Sequence, residues 1–506
     1  MAREQTRRRE RRGAEKLASF PWRQVVNPYK PVDVLSADQV EAIHRASLRV
    51  LQEIGIEVWS AAALDRFARA GARVDRAAQR VRLEGALVEE LVAKAPSQFR
   101  LHARNPERDV VIGGNHIVFS GVGGPAFASD LDNGKRAGTF EDFRNFTKVL
   151  HGLNVIHQEG GSIEPTDLPA ETRYLDLYEA DITLTDRTWH CWAFGRPAVE
   201  DALAMLEMAR SVDRDRMLAE PTAITIVNTN SPLRLDGPMG DGLIAMAEAG
   251  QPTVATPFTL AGAMSPATLA GALAQQNAEA LAMVALAQIV RPGAPMVYGG
   301  FTSNVDMKTG APAFGTPEYT KAALASGQLA RRYRLPWRSS NVNASNVVDA
   351  QATYESEMAV WGAVMGGVSL LYQGAGWLEG GLTASFEKLI VDAEILQMMA
   401  EVLVPIEVSE DTLGVEAMAE AGPGGHFFGT AHTLERYETA FYKPLLSDWR
   451  NFGAWQEDGS KTATERANGI WKQLLAEYQE PALDPAVREA LAAYVARRKR
   501  EIAAGS

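Results

Sequence analysis

Eight short apolar runs along the chain end in side chains that could contact a small molecule. These ends carry aromatic rings, amides and glycines, and few charged groups. The residues are Gly121, Gly123, Gly124, His157, Glu159, His190, Trp192, Phe194, Asn228, Asn230, Thr256, Tyr298, Phe301, Ser340, Asn341, Asn343, Tyr372, Gln373, Trp377 and Glu379. Because the faces of aromatic rings attract methylated, positively charged nitrogen, this set favours a pocket for a small organic cation.

Metal-dependent and phosphoryl-transfer chemistry fit this set poorly. A hydrolytic metal site needs several His, Asp or Glu ligands, and only His157, Glu159 and His190 are close enough in position. Phosphoryl transfer needs Lys or Arg, which the run ends almost lack. We therefore expect no metal ion. Cys191 is the single cysteine, so disulfides within the chain are excluded and a buried, unreactive thiol is expected.

A structural role is the alternative for each of these residues. Large aromatic side chains such as Trp192, Phe194 and Tyr298 also serve to fill a core. His157 and Glu159 lie on one face of a strand, where a structural hydrogen-bonded pair competes with a substrate contact. The glycines either close tight turns or let a bulky planar ligand approach the backbone.

Helix-length segments between the runs indicate the elements that position these side chains. The clearest cover residues 140–150, 198–211, 265–290, 316–333 and 349–366. Eight strand and helix pairs predict an α/β fold in which parallel strands close into a (β/α)8 TIM barrel. An open doubly wound sheet is disfavoured because no GxGxxG follows the first strand. In a TIM barrel the reactive groups lie at the carboxyl ends of the strands, where the run-end residues fall.

The sequence outside these pairs divides into three further parts. Residues 1–30, with five arginines between Arg7 and Arg12, are expected to form a disordered basic arm. Residues 31–112 are predicted to be an N-terminal helical segment that includes a helix over 36–55, capped by Ser36 and ended by Gly55. The barrel covers 113–403, and 404–506 form a C-terminal extension with helices over 461–503.

The overall charge limits the classes of partner. A formal net charge of −12 over 506 residues opposes nucleic-acid binding, which needs clustered Lys and Arg. The sequence contains no run of about 18 apolar residues, the length needed to span a membrane. It also lacks the apolar segment that follows the basic cluster in a signal peptide. We expect a cytoplasmic protein.

Several longer motifs resemble the trimethylamine methyltransferase family of corrinoid-dependent enzymes. They are GVGGPAFASDLDNGKRAGTFEDF from 121, LAGALAQQNAEALA from 269, RPGAPMVYGGFTSNVDMKTGAPAFGTPE from 291, DAQATYE from 349, GAGWLEGGLTASFEKLIVDAEI from 374, and GPGGHF with His432 and Thr433 beyond it. The similarity runs in order from about residue 30 to 485. It implies a (β/α)8 barrel whose mouth docks a separate small corrinoid-binding protein, which carries the cobalamin that accepts the methyl group.

One departure from the family narrows the substrate. Trimethylamine-specific members carry pyrrolysine in the segment that resembles Ser345 to Asp349, where this chain has ordinary residues. Without pyrrolysine to activate a tertiary amine, the methyl group should already sit on a positively charged nitrogen. The resemblance therefore implies a quaternary amine such as glycine betaine. Its demethylation requires orientation and exclusion of water rather than a catalytic acid or base.

The resemblance also suggests roles for individual residues. Tyr298, Phe301, Tyr372 and Trp377 are expected to surround the trimethylammonium group. His157, Asn343 and Gln373 are candidates to bind the carboxylate of a betaine, with Glu159 beside His157 and Glu379 orienting the cation or its loop. On the corrin side, the expected contacts are Gly121, Gly123, Gly124 and Asn346. No DxHxxG motif for the lower cobalt ligand is present, so the partner should carry the cofactor.

Two other functions stay open at this point. One is a methyltransferase linked to a pterin, since a fold does not determine its chemistry. The other is a non-catalytic betaine-binding or sensing barrel that kept the pocket. Related barrels are often oligomeric, and a homo-oligomer joined by the C-terminal helices is expected.

Overall fold

The N-terminal part of the chain mixes helices with short strands. The computed structural model describes Leu17 and residues 20–505. This part contains β1 (Val25–Val26), α1 (Ala37–Arg49), a π-helical turn (Val50–Ile54), β2 (Ile56–Val58), α2 (Ala61–Arg69), β3 (Arg73–Asp75), β4 (Arg80–Arg82), α3 (Gly85–Val92), β5 (Gln98–Leu101), a 3-10 turn (Pro106–Arg108) and β6 (Val110–Gly113). Ser36 caps α1 as predicted, because its hydroxyl accepts a hydrogen bond from the Gln39 backbone N–H.

The segment before α1 is packed against the body of the protein. Val25 pairs with Ile117 in antiparallel fashion, and Phe20 is buried. The Asn27 amide donates to the Val364 carbonyl over 3.1 Å. Residues 20–30 are therefore part of the fold, which corrects the expectation of a disordered arm that reaches residue 30. The basic cluster between Arg7 and Arg12 lies outside the described residues.

The central part alternates strands and helices. Its elements are β7 (His116–Gly121), β8 (Phe127–Asp130), β9 (Gly134–Ala137), α4 (Phe140–Gly152), α5 (Arg173–Leu184), β10 (Trp189–His190), α6 (Arg196–Arg210), α7 (Arg214–Ala219), β11 (Ala223–Thr229), β12 (Arg234–Leu235), α8 (Gly237–Glu248), β13 (Thr253–Ala261), α9 (Leu269–Val290), β14 (Met296–Gly299), β15 (Phe301–Val305), β16 (Pro312–Ala313), α10 (Pro317–Tyr333), β17 (Trp337–Ser340), α11 (Ala350–Met365), β18 (Leu370–Ala375), β19 (Trp377–Leu378), a 3-10 turn (Glu379–Gly381), β20 (Thr383–Ser385) and α12 (Phe386–Val402). The five helices predicted from the sequence correspond to α4, α6, α9, α10 and α11.

The central strands form one parallel sheet, so the fold is mixed α/β. Its parallel strands run in the order β10, β11, β13, β14, β17, β18 and β7, and β6 and β5 continue from β7 in antiparallel fashion. The second predicted run forms no strand and contributes only isolated parallel bridges, those of Gln158 with Ser120 and Thr188 and that of Ser162 with Gly123. Leu101, Val110 and Ile112 of the β5–β6 hairpin pack on the apolar residues at the starts of the central strands.

Helix α9 carries the motif LAGALAQQNAEALA and is buried over almost its whole length. It packs on β13 on one side and on α1 and α3 on the other, so it lacks a polar face. Its polar residues are bonded internally. Glu279, for example, accepts hydrogen bonds from the Leu233 backbone N–H and the Ser231 hydroxyl at 2.8 and 2.7 Å. This motif therefore supports the strand ends from outside the sheet.

The C-terminal part is helical. It contains α13 (Glu410–Leu413), α14 (Val415–Ala421), α15 (Ala431–Arg436), α16 (Phe452–Glu457), α17 (Ala463–Ala476) and α18 (Pro485–Ala503). The last two helices match the prediction and pack on the body, α17 against α12 and α18 against α5 and α6. Residues 404–460 instead leave many large apolar side chains exposed. Among the described residues, no helix is long and apolar enough to cross a membrane.

Candidate functional site

A cavity of about 560 Å³ opens at the carboxyl ends of the central strands. Its size is within the range of small-molecule sites. Its wall mixes aromatic, amide and glycine residues. The lining includes Gly123, Gly124, Glu164, Arg173, Tyr174, His190, Trp192, Phe194, Asn228, Thr256, Phe258, Phe301, Arg338, Tyr372, Gln373, Trp377, Gly380 and Gly381. Of the residues predicted to bind substrate, the structure brings together Phe301, Tyr372, Gln373 and Trp377. Gly123 and Gly124 also lie here.

One wall of the cavity is a cluster of aromatic rings. The Phe301 ring meets the Trp377 indole edge-on, with centroids 5.9 Å apart and planes at 85°. Phe258 lies on Phe301 at 5.0 Å. Rings arranged in this way present both faces and edges to the cavity, so they can hold an alkylated cation without hydrogen bonds.

Arg338 brings a positive charge into this aromatic wall. Its side chain is 1% exposed, and its guanidinium carbon lies 5.2 Å from the Phe301 ring centre. Burial lowers the pKa of Arg338 to about 10, so the group stays charged at neutral pH. The sequence-based prediction missed this residue. Strand alternation could have identified Arg338. Trp337, the preceding residue of β17, packs among the outer helices, so Arg338 must face the interior.

A bulge in β18 allows two consecutive residues to line the cavity. Strand side chains normally alternate between faces, so only one of Tyr372 and Gln373 should point inward. Between Leu371 and Ala375 the register with β7 shifts, and Gln373 adopts a φ of 51°. The side-chain oxygen Oε1 of Gln373 then accepts hydrogen bonds from the Arg338 guanidinium and, at 3.0 Å, from the Ser340 hydroxyl.

His190 and Tyr372 form a neutral pair in the cavity wall. The Tyr372 hydroxyl is hydrogen-bonded to His190 Nδ1, and burial lowers the pKa of His190 to about 3. The imidazole is therefore uncharged at neutral pH. Burial also raises the pKa of Tyr372 well above its ordinary value. Neither group is tuned to titrate near pH 7 as an acid or base.

Glu159 supports the cavity from behind its wall. It is fully buried, and its carboxylate accepts hydrogen bonds from the backbone N–H groups of His190 at 2.9 Å and Gly161 at 2.6 Å. Burial raises the pKa of Glu159 to about 7, although these N–H groups act in the opposite direction. This side chain thus ties the second and third strand ends together and does not line the cavity.

Asn343 and Glu379 hold the loop that carries Trp377. The Asn343 amide donates to the Trp377 carbonyl at 2.7 Å, and its backbone carbonyl accepts from Gly380 at 2.9 Å. The Glu379 carboxylate pairs with Lys135. Both residues position the aromatic wall from outside the cavity.

Four other predicted residues lie away from the cavity. The Tyr298 hydroxyl donates to the Asn277 side chain of α9 at 2.9 Å, on the outer side of the sheet. His157 accepts from the Phe119 N–H and contacts the Arg23 carbonyl, so it joins the N-terminal segment to β7. Gly121 allows close strand packing, since a Cβ there would lie 2.4 Å from the Glu159 carbonyl. Asn346 is exposed.

The glycines at the cavity rim serve two different purposes. A Cβ on Gly123 would lie 2.0 Å from the Gly160 carbonyl, so this glycine permits two chain segments to meet. Gly124 has a φ of +90° and open space around it. The rim at Gly124 is therefore open to solvent.

The described residues contain no group of His, Cys, Asp and Glu suited to hold a metal ion. Cys191 is buried against the Tyr178 hydroxyl, 3.4 Å from its sulfur, and burial raises its pKa to about 12. The thiol is therefore protonated and unreactive at neutral pH, as predicted.

Comparison with known proteins identifies the relatives of this chain. Residues 2–503 match the family model "Trimethylamine methyltransferase (MTTB)". A glycine betaine methyltransferase of Desulfitobacterium hafniense (strain Y51) is 38% identical over 93% of this chain and 98% of its own length. A trimethylamine methyltransferase of Desulfitobacterium hafniense (strain DSM 10664 / DCB-2) is 29% identical, over 85% and 87%.

Among solved structures, the monomethylamine methyltransferase of Methanosarcina barkeri has a similar fold. The two structures superpose with a TM-score of 0.50 at 11% sequence identity, covering 88% of this chain and 89% of the other. That likeness concerns the fold alone. The family match over almost the whole chain is the stronger finding, and from it the chain belongs to the trimethylamine methyltransferase family.

Proposed function

We propose that this protein is a methyltransferase that removes a methyl group from a quaternary amine of the betaine class. The family membership and the 38% identity to a glycine betaine methyltransferase support this reaction. The observation that carries it is the cavity itself, where the rings of Phe301, Phe258 and Trp377 surround space for a trimethylammonium group. Ring faces attract the positive charge of such a group, which has no N–H to donate in a hydrogen bond.

The proposal includes a closed (β/α)8 barrel. The parallel strands follow one another in chain order from β10 to β18, and β18 then pairs with β7. Gln158 lies between β7 and the start of β10, with a bridge to each side. This arrangement supports closure through the second strand, and it brings the strand ends into one rim as methyl transfer requires.

The side chains of this protein act by binding and orientation. The C–N bond breaks with its electron pair left on nitrogen, so the departing amine is neutral and needs no proton. That agrees with the neutral His190–Tyr372 pair, which offers no acid at pH 7. The aromatic wall excludes water and fixes the direction of the methyl group, which an in-line displacement demands.

The methyl acceptor in this proposal is a corrinoid held by a separate small protein, and it supplies a nucleophilic Co(I). The rim of the cavity fits the approach of a flat macrocycle. Gly124 is surrounded by open space, Gly380 and Gly381 also line the cavity, and Phe194 and Leu382 are exposed. The reaction is proposed to take place in the cytoplasm, in keeping with a single, reduced cysteine.

The protein is also proposed to be a homo-oligomer. Large apolar side chains between residues 404 and 460 face solvent, among them Ile406, Phe428 and Phe441. The outer face of α11 and α12 exposes a second set, which includes Trp361 and Met398. Apolar surface on this scale is uncommon on a monomer. A second copy whose 404–460 segment covers α11 and α12 would bury both sets.

The test of the proposed reaction is an assay with Co(I) corrinoid and a panel of quaternary and tertiary amines. We expect dimethylglycine to form from glycine betaine, with loss of the Co(I) absorption band, and no product from trimethylamine. Binding of betaine without product would favour a sensing barrel, and turnover that depends on a pterin acceptor would favour the pterin-linked alternative. Either result would overturn the proposal.

A further inference from the structure

We propose that Arg338 binds the carboxylate of the substrate and restricts this protein to quaternary amines that carry one. This inference rests on the proposed function, and it names the residue that determines which quaternary amines are substrates. A carboxylate-free cation such as choline or tetramethylammonium would then be a poor ligand, even though the aromatic wall suits its methyl groups.

The guanidinium of Arg338 lacks the partners that a buried charge requires. Among the residues that the structure describes, only one of its terminal nitrogens is hydrogen-bonded, to the Gln373 side-chain oxygen. Its Nε and its other terminal nitrogen, Nη1, are buried without a hydrogen-bond partner. Within the described part of the chain, no Asp or Glu forms an ion pair with it. A buried charge without a counter-ion is costly, so these two donors indicate where an anionic ligand group binds.

The surroundings of Arg338 fit one particular kind of anion. The guanidinium lies over the Phe301 ring, and the Trp377 indole meets the same ring edge-on at 5.9 Å. An anion bonded to Arg338 would therefore have aromatic rings directly beside it. A molecule that carries a carboxylate and a trimethylammonium group a short distance apart can bind Arg338 and the aromatic rings at the same time. An inorganic anion would leave the aromatic wall empty.

Electrostatics favours a zwitterion over a simple cation in this cavity. A cation bound against the aromatic wall would be repelled by the nearby guanidinium in surroundings of low polarity. The carboxylate of a betaine lies between the two positive charges and offsets this repulsion. The same arrangement sets the orientation, because Arg338 is buried and the rim is open. The carboxylate lies inward and a methyl group faces the opening.

The wild-type protein alone provides the first experiment. Isothermal titration calorimetry without corrinoid compares glycine betaine with choline and with the methyl ester of glycine betaine. We expect the two carboxylate-free cations to bind at least ~30-fold more weakly, the scale of a lost buried charge pair. Choline or the ester binding as tightly as glycine betaine would overturn the inference.

Two variants then assign the effect to Arg338. Arg338→Met keeps the length and apolar stem of the side chain. It should lower the affinity for glycine betaine by a factor similar to that expected for loss of the carboxylate, while the affinity for tetramethylammonium stays the same or rises. Arg338→Lys keeps the charge and should retain part of the preference. Arg49→Met, which removes an exposed arginine of α1, is the control. Equal losses for all ligands in Arg338→Met, with thermal unfolding unchanged, would contradict the assignment.

The outcomes separate this inference from the proposed function. Carboxylate-dependent binding without methyl transfer would leave the inference standing and remove the reaction. Methyl transfer from choline and glycine betaine at equal kcat/KM would keep the reaction and remove the inference.

Discussion

Arg338 and Gln373 show how one strained residue can prepare a charged side chain for a ligand. Gln373 has a φ of 51°, which few residues other than glycine and asparagine adopt readily. That conformation turns its side-chain oxygen toward Arg338 and Ser340. The hydrogen bond to Gln373 fixes the position of the Arg338 guanidinium and leaves its Nε and Nη1 donors free for a ligand. Gln373 is therefore a positioning residue for Arg338.

Replacing Gln373 tests this role. Gln373→Gly keeps the backbone conformation, because glycine accepts positive φ without strain, but it removes the oxygen that holds Arg338. We expect the KM for glycine betaine to rise about 10-fold, the scale of one charge-assisted hydrogen bond, with kcat within about 3-fold. Steady-state kinetics measure both values. A fall in kcat with an unchanged KM would contradict a positioning role.

Trp377 is the second residue with a defined prediction. Trp377→Ala should weaken glycine betaine binding by about 10- to 30-fold, since cation–π attraction in a desolvated site contributes about 2 kcal/mol. Trp377→Phe should restore part of the affinity because a ring remains. Trp59→Ala, which removes an exposed tryptophan next to β2, is the matched control for loss of a tryptophan. Calorimetric titration provides the comparison; identical affinities for Trp377→Ala and the wild type would remove Trp377 from the cation wall.

Glu159 predicts a pH dependence of stability. Its pKa is about 7 in the folded protein, above the ordinary value of 4.5, because burial disfavours the charge. The unfolded chain therefore loses this proton first. The stabilising contribution of Glu159 is fully present below about pH 4.5 and is lost as the pH rises to about 7. Over this range the free energy of unfolding should fall by about 3 kcal/mol.

The measurement is the free energy of unfolding of the wild type and of Glu159→Gln at several pH values. The difference between the two should change in favour of Glu159→Gln from pH 4.5 to 7 and then stay level. A difference that is constant over this range would show that Glu159 does not titrate there.

At the scale of elements, the loop that contains Trp377 depends on its neighbours. Asn343 and Glu379 were expected to contact substrate, but they bind this loop and its surroundings instead. Asn343→Ala would leave the Trp377 carbonyl without its donor. We expect faster amide hydrogen exchange over residues 376–382 and a higher KM for glycine betaine, with little change elsewhere. Unchanged exchange in that peptide would mean that the Asn343 bond does not hold the loop.

At the scale of the whole molecule, the exposed apolar segment predicts an interface. Phe428 and Phe441 are 85% and 84% exposed, which is costly in water for side chains of this size. Phe428→Glu combined with Phe441→Glu should shift the protein toward a monomer in sedimentation or light-scattering measurements. Betaine binding should be unaffected, because neither residue lines the cavity. A wild type that is already monomeric would contradict the interface.

The sequence by itself determined the helix and strand order and the family, because these depend on local patterns. Ser36, the apolar runs and the helices between them follow from hydrophobic period and capping. The same reasoning placed Phe301, Tyr372 and Trp377 at strand ends. The sequence could not show which of the run-end residues meet in one cavity, because strand alternation and bulges decide where side chains point.

Only the tertiary structure decided the polar contacts of the site. Tyr298 lies on β14 as predicted, whereas His157 lies outside the strands, next to the isolated bridge at Gln158. The polar atoms of both residues are bonded to segments distant in sequence, those of Tyr298 to α9 and those of His157 in part to the N-terminal segment. Arg338 is inconspicuous in the sequence and becomes decisive only once Gln373 is seen to hold it from another strand. Its unpaired donors exist because the described part of the fold encloses the guanidinium without a counter-ion, and a local pattern contains no information about that enclosure.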